Sequence, residues 1–157
     1  MRIALLTLSF IVSVTVAAHA RLGENPDQLV ARYGQPLNEA DQKAEGDKVA
    51  ASDVIFQKGG IQITVTVTNG LSVSETFKKL NGRSFSTGEV QILLNANSEG
   101  RGWEAPRTTQ GDKLWTRDDG AMARLSKDGT FVIKSKDLMN MQETAKKLEH
   151  QPSLDGF

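Results

Sequence analysis

The chain contains no cysteine among its 157 residues. Disulfides, thiolate nucleophiles and cysteine-based zinc or iron–sulfur sites are therefore excluded. Histidine is almost as scarce, with only His19 and His150. A Ser–His–Asp triad or a histidine metal cluster would have to draw on those two alone. An excess of either charge is also missing: 19 Lys and Arg stand against 19 Asp and Glu. Neutralising phosphates takes surplus cations, so a nucleic-acid partner is not expected. No P-loop, His-Glu-x-x-His, Gly-x-Ser-x-Gly or Ser-x-x-Lys run occurs. Gly100-Arg101-Gly102 lacks the third glycine of a dinucleotide loop. Asp118-Asp119-Gly120 lacks the spaced oxygen ligands of a calcium loop and reads as a solvated turn. No metal, cofactor or catalytic residue is expected.

One long apolar run is present, over residues 3–18, behind Arg2 and ahead of Ala18-His19-Ala20. A positive start, an apolar middle and a small-x-small site make a secretory signal peptide, cleaved between Ala20 and Arg21. The run is shorter than the ~20 residues of a spanning helix. The expected organisation is a signal peptide over 1–20 and a single mature domain over 21–157, with no membrane span after cleavage. The mature protein is expected to be periplasmic or secreted. Cleavage removes His19 and leaves His150 in a polar C-terminal stretch.

Asn25-Pro26-Asp27-Gln28 has the form of a helix start, and Leu29, Val30 and Tyr33 supply an apolar stripe that Gly34 and Pro36 end. Residues 38–52 are polar, with interspersed charge, and read as a loop. Residues 53–79 read as strands. Ile61, Ile63, Val65 and Val67 alternate with Gln62, Thr64, Thr66 and Thr68, the strongest strand signal in the chain. Asn69-Gly70 then turns the chain. A three-residue loop, Thr68-Asn69-Gly70, pairs Val67 with Leu71 and Val65 with Val73 and keeps the apolar residues on one face, so that register is expected.

Ser86-Thr87-Gly88-Glu89 is a capping box for a second helix that runs to about Asn97. Residues 98–112 read as loop, and residues 113–117 as strand. A second hairpin pairs Leu125 with Phe131 and Ala123 with Ile133 around Lys127-Asp128-Gly129. Leu138, Met141, Ala145 and Leu148 fall at helical spacing, so a C-terminal helix is expected over 137–149.

The two halves repeat one another. Ile55-Phe56-Gln57-Lys58 matches Leu114-Trp115-Thr116-Arg117, and Asn69-Gly70 matches Asp128-Gly129, about 60 residues on. The pseudo-repeat spans 24–80 and 86–138. The expected class is α+β: an antiparallel sheet built from two related helix-plus-three-strand units, the helices on one face, followed by the C-terminal helix.

Residues 28–36, Gln-Leu-Val-Ala-Arg-Tyr-Gly-Gln-Pro, and the 66–73 hairpin around Asn69-Gly70 resemble small exported bacterial domains. In these a short helix ending in Tyr-Gly-x-Pro or Leu-Gly-x-Pro leads into an antiparallel meander. Outer-membrane-assembly lipoproteins of the SmpA/OmlA type are one group, and the tandem β-lactamase-inhibitor proteins another. The assembly lipoproteins carry an acylated cysteine that this chain lacks. The resemblance implies a fold and a protein-binding habit, with no active site.

A non-catalytic, protein-binding role towards another envelope protein is the leading expectation. The rivals are a hydrolase using carboxylates in an unrecognised cleft, and a purely structural domain. On the alternation above, the sheet face opposite the core carries Thr and Ser from the first unit and Met122, Arg124 and Val132 from the second. Those three, with Trp103 at the rim among Glu99, Arg101, Glu104 and Arg107, are the candidate binding residues.

Overall fold

Asn25 starts the first helix as its composition requires. Its side chain accepts from Gln28 N at 3.0 Å, and Gln28 Oε1 accepts from Asn25 N at 3.0 Å. This closes α1 (Pro26–Tyr33) at its amino end. The computed structural model describes residues 22–38 and 51–149. The cleavage site at Ala20–Arg21, most of the polar segment after α1 and His150 lie outside them.

Three strands follow α1: β1 (Ala51–Lys58), β2 (Ile61–Thr68) and β3 (Leu71–Lys79). Next comes α2 (Thr87–Ala96), closed by the Ser86–Glu89 capping box. Then come β4 (Arg107–Thr109), β5 (Asp112–Thr116), β6 (Met122–Leu125), β7 (Phe131–Lys134) and α3 (Lys136–Glu149). All strand neighbours are antiparallel, and the two meanders join through β3 and β7 into one seven-stranded sheet, ordered β1-β2-β3-β7-β6-β5-β4. The α+β class and the paired three-strand units are thus present. Residues 98–112, expected as loop, contribute β4, an edge strand whose Arg107 lies opposite Leu114.

The second hairpin takes the expected register: Leu125 opposes Phe131 and Ala123 opposes Ile133. Gly129 sits at φ 84° and its N–H donates to Ser126 O, closing a three-residue loop. The first hairpin departs from expectation. Thr68 pairs with Leu71 across a two-residue Asn69-Gly70 turn with φ of 53° and 75°. Such a mirror-image turn follows the right-handed twist of its strands. Left alone it would put apolar residues on opposite faces. A bulge corrects the phase: Val67 pairs with Ser72 and Thr66 with Ser74, leaving Val73 as the extra residue. Ile63 then lies opposite Phe77, and Val65 opposite Glu75.

Two cross-strand rows form the core face. One runs Phe56, Ile63, Phe77, Phe131, Leu125. The other runs Val54, Val65, Glu75, Ile133, Ala123, Trp115. α1 lays Leu29 and Tyr33 on this face, and α2 lays Val90 and Leu94. Phe131 is the hub, with ring centroids 6.3 Å from Phe77, 6.3 Å from Phe85 and 6.1 Å from Trp115. Each such side chain contributes about 1.5–3 kcal/mol by leaving water. The free edge of β1 is blunted. Leu37 N donates to Ile55 O at 2.7 Å, and the Asn38 amide bonds Asp53 O and Ile55 N.

Candidate functional site

The strand alternation that buries Ala123 and Ile133 turns Met122, Arg124, Val132 and Lys134 to the opposite face. Register sets them in a checkerboard: Met122 lies opposite Lys134, and Arg124 opposite Val132. Leu114 extends the pattern beside Arg124. α3 starts directly after β7 and crosses this face, where Lys134 Nζ donates to Gln142 Oε1 at 3.3 Å. Between helix and strands lies a groove of about 320 Å³, lined by Leu114, Met122, Arg124, Val132, Lys134 and Met139.

The groove has an aliphatic and thioether floor with two cations at its sides. Arg124 is 56% exposed, with Nε 3.1 Å from Asp112 Oδ2 and 3.0 Å from Ser126 Oγ. Such a surface can seat apolar groups and orient them by charge.

Three of the four candidate residues therefore meet: Met122, Arg124 and Val132. Trp103 is elsewhere. Its Nε1 donates to Leu94 O at 2.9 Å, and its ring lies 5.8 Å from the Arg117 guanidinium carbon. It bridges to Arg117 at the sheet edge and packs against the core, on the α2 side. Met139 joins the groove although it lies outside the expected Leu138, Met141, Ala145, Leu148 stripe. That stripe leaves Met141 47% exposed and Ala145 exposed. Only the direction in which α3 leaves β7 decides which side of the helix meets the sheet, and helical spacing does not encode it.

A second polar feature lies on the core side. A hollow of about 420 Å³ is lined by Leu22, Gly23, Glu24, Gln28 and Glu99. Its two carboxylates are each committed to a buried arginine, Glu24 to Arg32 and Glu99 to Arg117 at 3.0 Å. Arg117 also grips Asp119 at 2.7 Å and holds that carboxyl down at about 2. Among the described residues, no group of three or more His, Cys, Asp or Glu side chains is arranged to hold a metal ion.

Beneath the hollow is a buried cluster that the expected site omitted. Glu75, on β3 in the middle of an otherwise apolar row, is fully buried. Tyr33 Oη donates to its Oε1 at 3.1 Å, and Arg32 Nη1 lies 3.7 Å from the same oxygen. The alternation Leu71, Val73, Glu75, Phe77 already places this acid on the apolar side.

No protein-family model matches the chain, and no curated protein matches it. One solved structure similar to it is a cysteine-rich secretory protein from Staphylococcus aureus, at 11% identity and a TM-score of 0.37. The similarity covers 75% of this chain and 44% of that one, so the chain spans less than half of that protein's length.

Proposed function

We propose that the protein is an exported, non-catalytic binding module of the cell envelope that engages a protein partner through the groove between α3 and the open face of β5–β7. The observation that carries this reading is the convergence of Met122, Val132, Leu114 and Met139 into one apolar floor flanked by Arg124 and Lys134. Adaptable thioethers beside arginine suit a protein surface that must fit another. The resemblance of residues 28–36 and 66–73 to the SmpA/OmlA-type and β-lactamase-inhibitor domains supports the same habit. The test is capture from native envelopes with wild type and with a Val132→Lys, Met139→Asp variant. Saturable capture by the wild type, lost in the folded variant, is expected. Equal capture by both removes the groove as the interface.

The hydrolase reading rests on the hollow holding Glu24 and Glu99. Turnover by the purified protein that disappears in Glu99→Gln would establish it against the binding reading. Export is tested separately. Mass spectrometry of the envelope fraction should find Arg21 as the first residue, and an intact Met1 there refutes cleavage.

A further inference from the structure

The core face ends in a lysine. The row Phe56, Ile63, Phe77, Phe131, Leu125 continues to Lys113, which lies opposite Leu125 on β5. Alternation along β5 places Lys113 on the same side as the buried Trp115. Its neighbour Asp112 turns the other way and holds Arg124 at 3.1 Å. Lys113 itself is exposed and, among the described residues, stands in no ion pair. A lone cation where an apolar row would carry on breaks the local pattern, and breaks of this kind gather at functional sites.

Beside Lys113 lies a cleft of about 190 Å³ between α2 and the end of the sheet. α2 lines it with Thr87, Val90, Gln91 and Leu94, whose spacing of three and four residues puts them on one side of the helix. Phe85, Trp115 and Leu125 complete an apolar wall. Phe85 and Trp115 are themselves held in place, each packed on the ring of Phe131 at 6.3 and 6.1 Å. An engineered apolar cavity of about 150 Å³ holds one benzene molecule, so this cleft has room for a single ring. It opens to solvent past Thr87 and Gln91, both exposed.

The polar groups at the mouth all offer hydrogens. They are the Lys113 ammonium, the Thr87 hydroxyl and the Gln91 amide, which donates to Asn95 Oδ1 at 2.8 Å and keeps a second hydrogen. Among the described residues, no carboxylate lines the cleft. Glu89, in the first turn of α2, is held by Lys79 at 2.7 Å and by Ser86 N at 2.7 Å. An apolar pocket with a few convergent donors at its rim selects an apolar body with an anionic head. One ammonium matches one negative charge, and a phosphate monoester would leave a second uncompensated. We propose that this cleft is a binding site for a small aryl carboxylate, its ring against Phe85, Trp115 and Leu125 and its carboxylate on the Lys113 ammonium. The site lies on the opposite face of β5 and β6 from the groove, so it and the partner-binding reading stand or fall separately.

The test titrates the purified protein with phenylacetate and follows the methyl signals of Val90, Leu94 and Leu125 and the indole N–H of Trp115 by NMR. Phenylacetamide keeps the ring and loses the charge, benzylamine reverses the charge, and acetate keeps the charge without the ring. Saturable shifts at those four residues are expected with phenylacetate, with binding at least about threefold tighter than phenylacetamide, the size of one exposed ion pair. Benzylamine should bind more weakly than either, and acetate should leave the four signals in place. Lys113→Gln changes an exposed side chain and leaves the apolar wall intact. It should keep the shifts caused by the ring and remove the preference for phenylacetate over phenylacetamide. Absence of saturable shifts at these residues overturns the proposal. So does equal binding of phenylacetate and phenylacetamide by the wild type, or a preference that survives Lys113→Gln. Shifts confined to the Met122 and Met139 methyls would put the ligand in the groove and overturn it as well.

Discussion

The two halves share a core and differ on the face turned away from it. In the first half, strands of 8, 8 and 9 residues bring Thr64, Thr66, Ser74 and Thr76 to that face. In the second, strands of 5, 4 and 4 residues bring Leu114, Met122, Arg124, Val132 and Lys134. On the core side the contrast vanishes: Phe56 and Ile63 in one half answer Trp115 and Phe131 in the other. Burial imposes the same requirement on both core faces, so they converge on apolar residues. The outer faces are under no such requirement and differ. On the hydroxyl-bearing half Thr64, Thr66 and Thr76 are half-buried, and Ser74 is buried with its Oγ donating to Ile133 O at 3.1 Å. The half with methionine, valine and paired cations has apolar area that folding does not use, and α3 shapes it into a groove.

The largest expected effect tests whether the halves fold as one. Phe131 is fully buried on β7, beside Phe77 of the other half. Phe131→Ala should cost roughly 3–5 kcal/mol. Because the ring bridges both meanders, chemical denaturation should show one transition at lower denaturant. Two separated transitions would mean that the halves are independent units.

The hairpin turns give the next contrast. Gly70 and Gly129 both have positive φ, 75° and 84°. A Cβ on Gly70 meets nothing within 4 Å, whereas one on Gly129 stands 2.9 Å from Ser84 Cα. Gly129→Val combines backbone strain with a clash against main chain and should cost roughly 2–4 kcal/mol. Gly70→Val pays only the conformational term, roughly 1–2 kcal/mol. Thermal unfolding of the two variants measures the difference. Equal losses would mean that the segment before α2 yields to the new side chain.

These same turns show how far the sequence was legible. The second hairpin could be read because Ala123, Leu125, Phe131 and Ile133 leave one register that keeps them together. The first was misread because that reasoning assumed an uninterrupted ladder. Asn-Gly selected the two-residue turn, and the bulge at Val73 recovered the apolar face two residues later. Capping pairs were readable because Asn25–Gln28 and Ser86–Glu89 act within a single helical turn. Three of the candidate binding residues were found by alternation. Met139 was not, since its place depends on the exit direction of α3. Trp103 was set at the rim on its place in a loop among Arg and Glu neighbours, while its indole N–H is satisfied by Leu94 O on the core side.

The smallest effect on stability is the sharpest on function. Arg124 is 56% exposed, and exposed ion pairs such as Arg124–Asp112 contribute about 0–1 kcal/mol. Among the described residues, Lys134 Nζ bonds a neutral glutamine oxygen at its side-chain end. An Arg124→Glu, Lys134→Glu variant should therefore unfold within about 1 kcal/mol of wild type. At the groove the same variant replaces both flanking cations with anions beside the apolar floor, and a partner selected by that surface should be lost. Gln62→Glu, Thr64→Glu is the matched control, two strands away from β7. It adds the same number of carboxylates to the same face of the sheet, in the half that carries Thr64, Thr66 and Thr76. Capture measured for both variants alongside the wild type separates a site from a surface. Loss confined to the Arg124, Lys134 variant assigns binding to the second half. Equal loss in both makes charge on the whole face the determinant, and equal retention places the interface away from it.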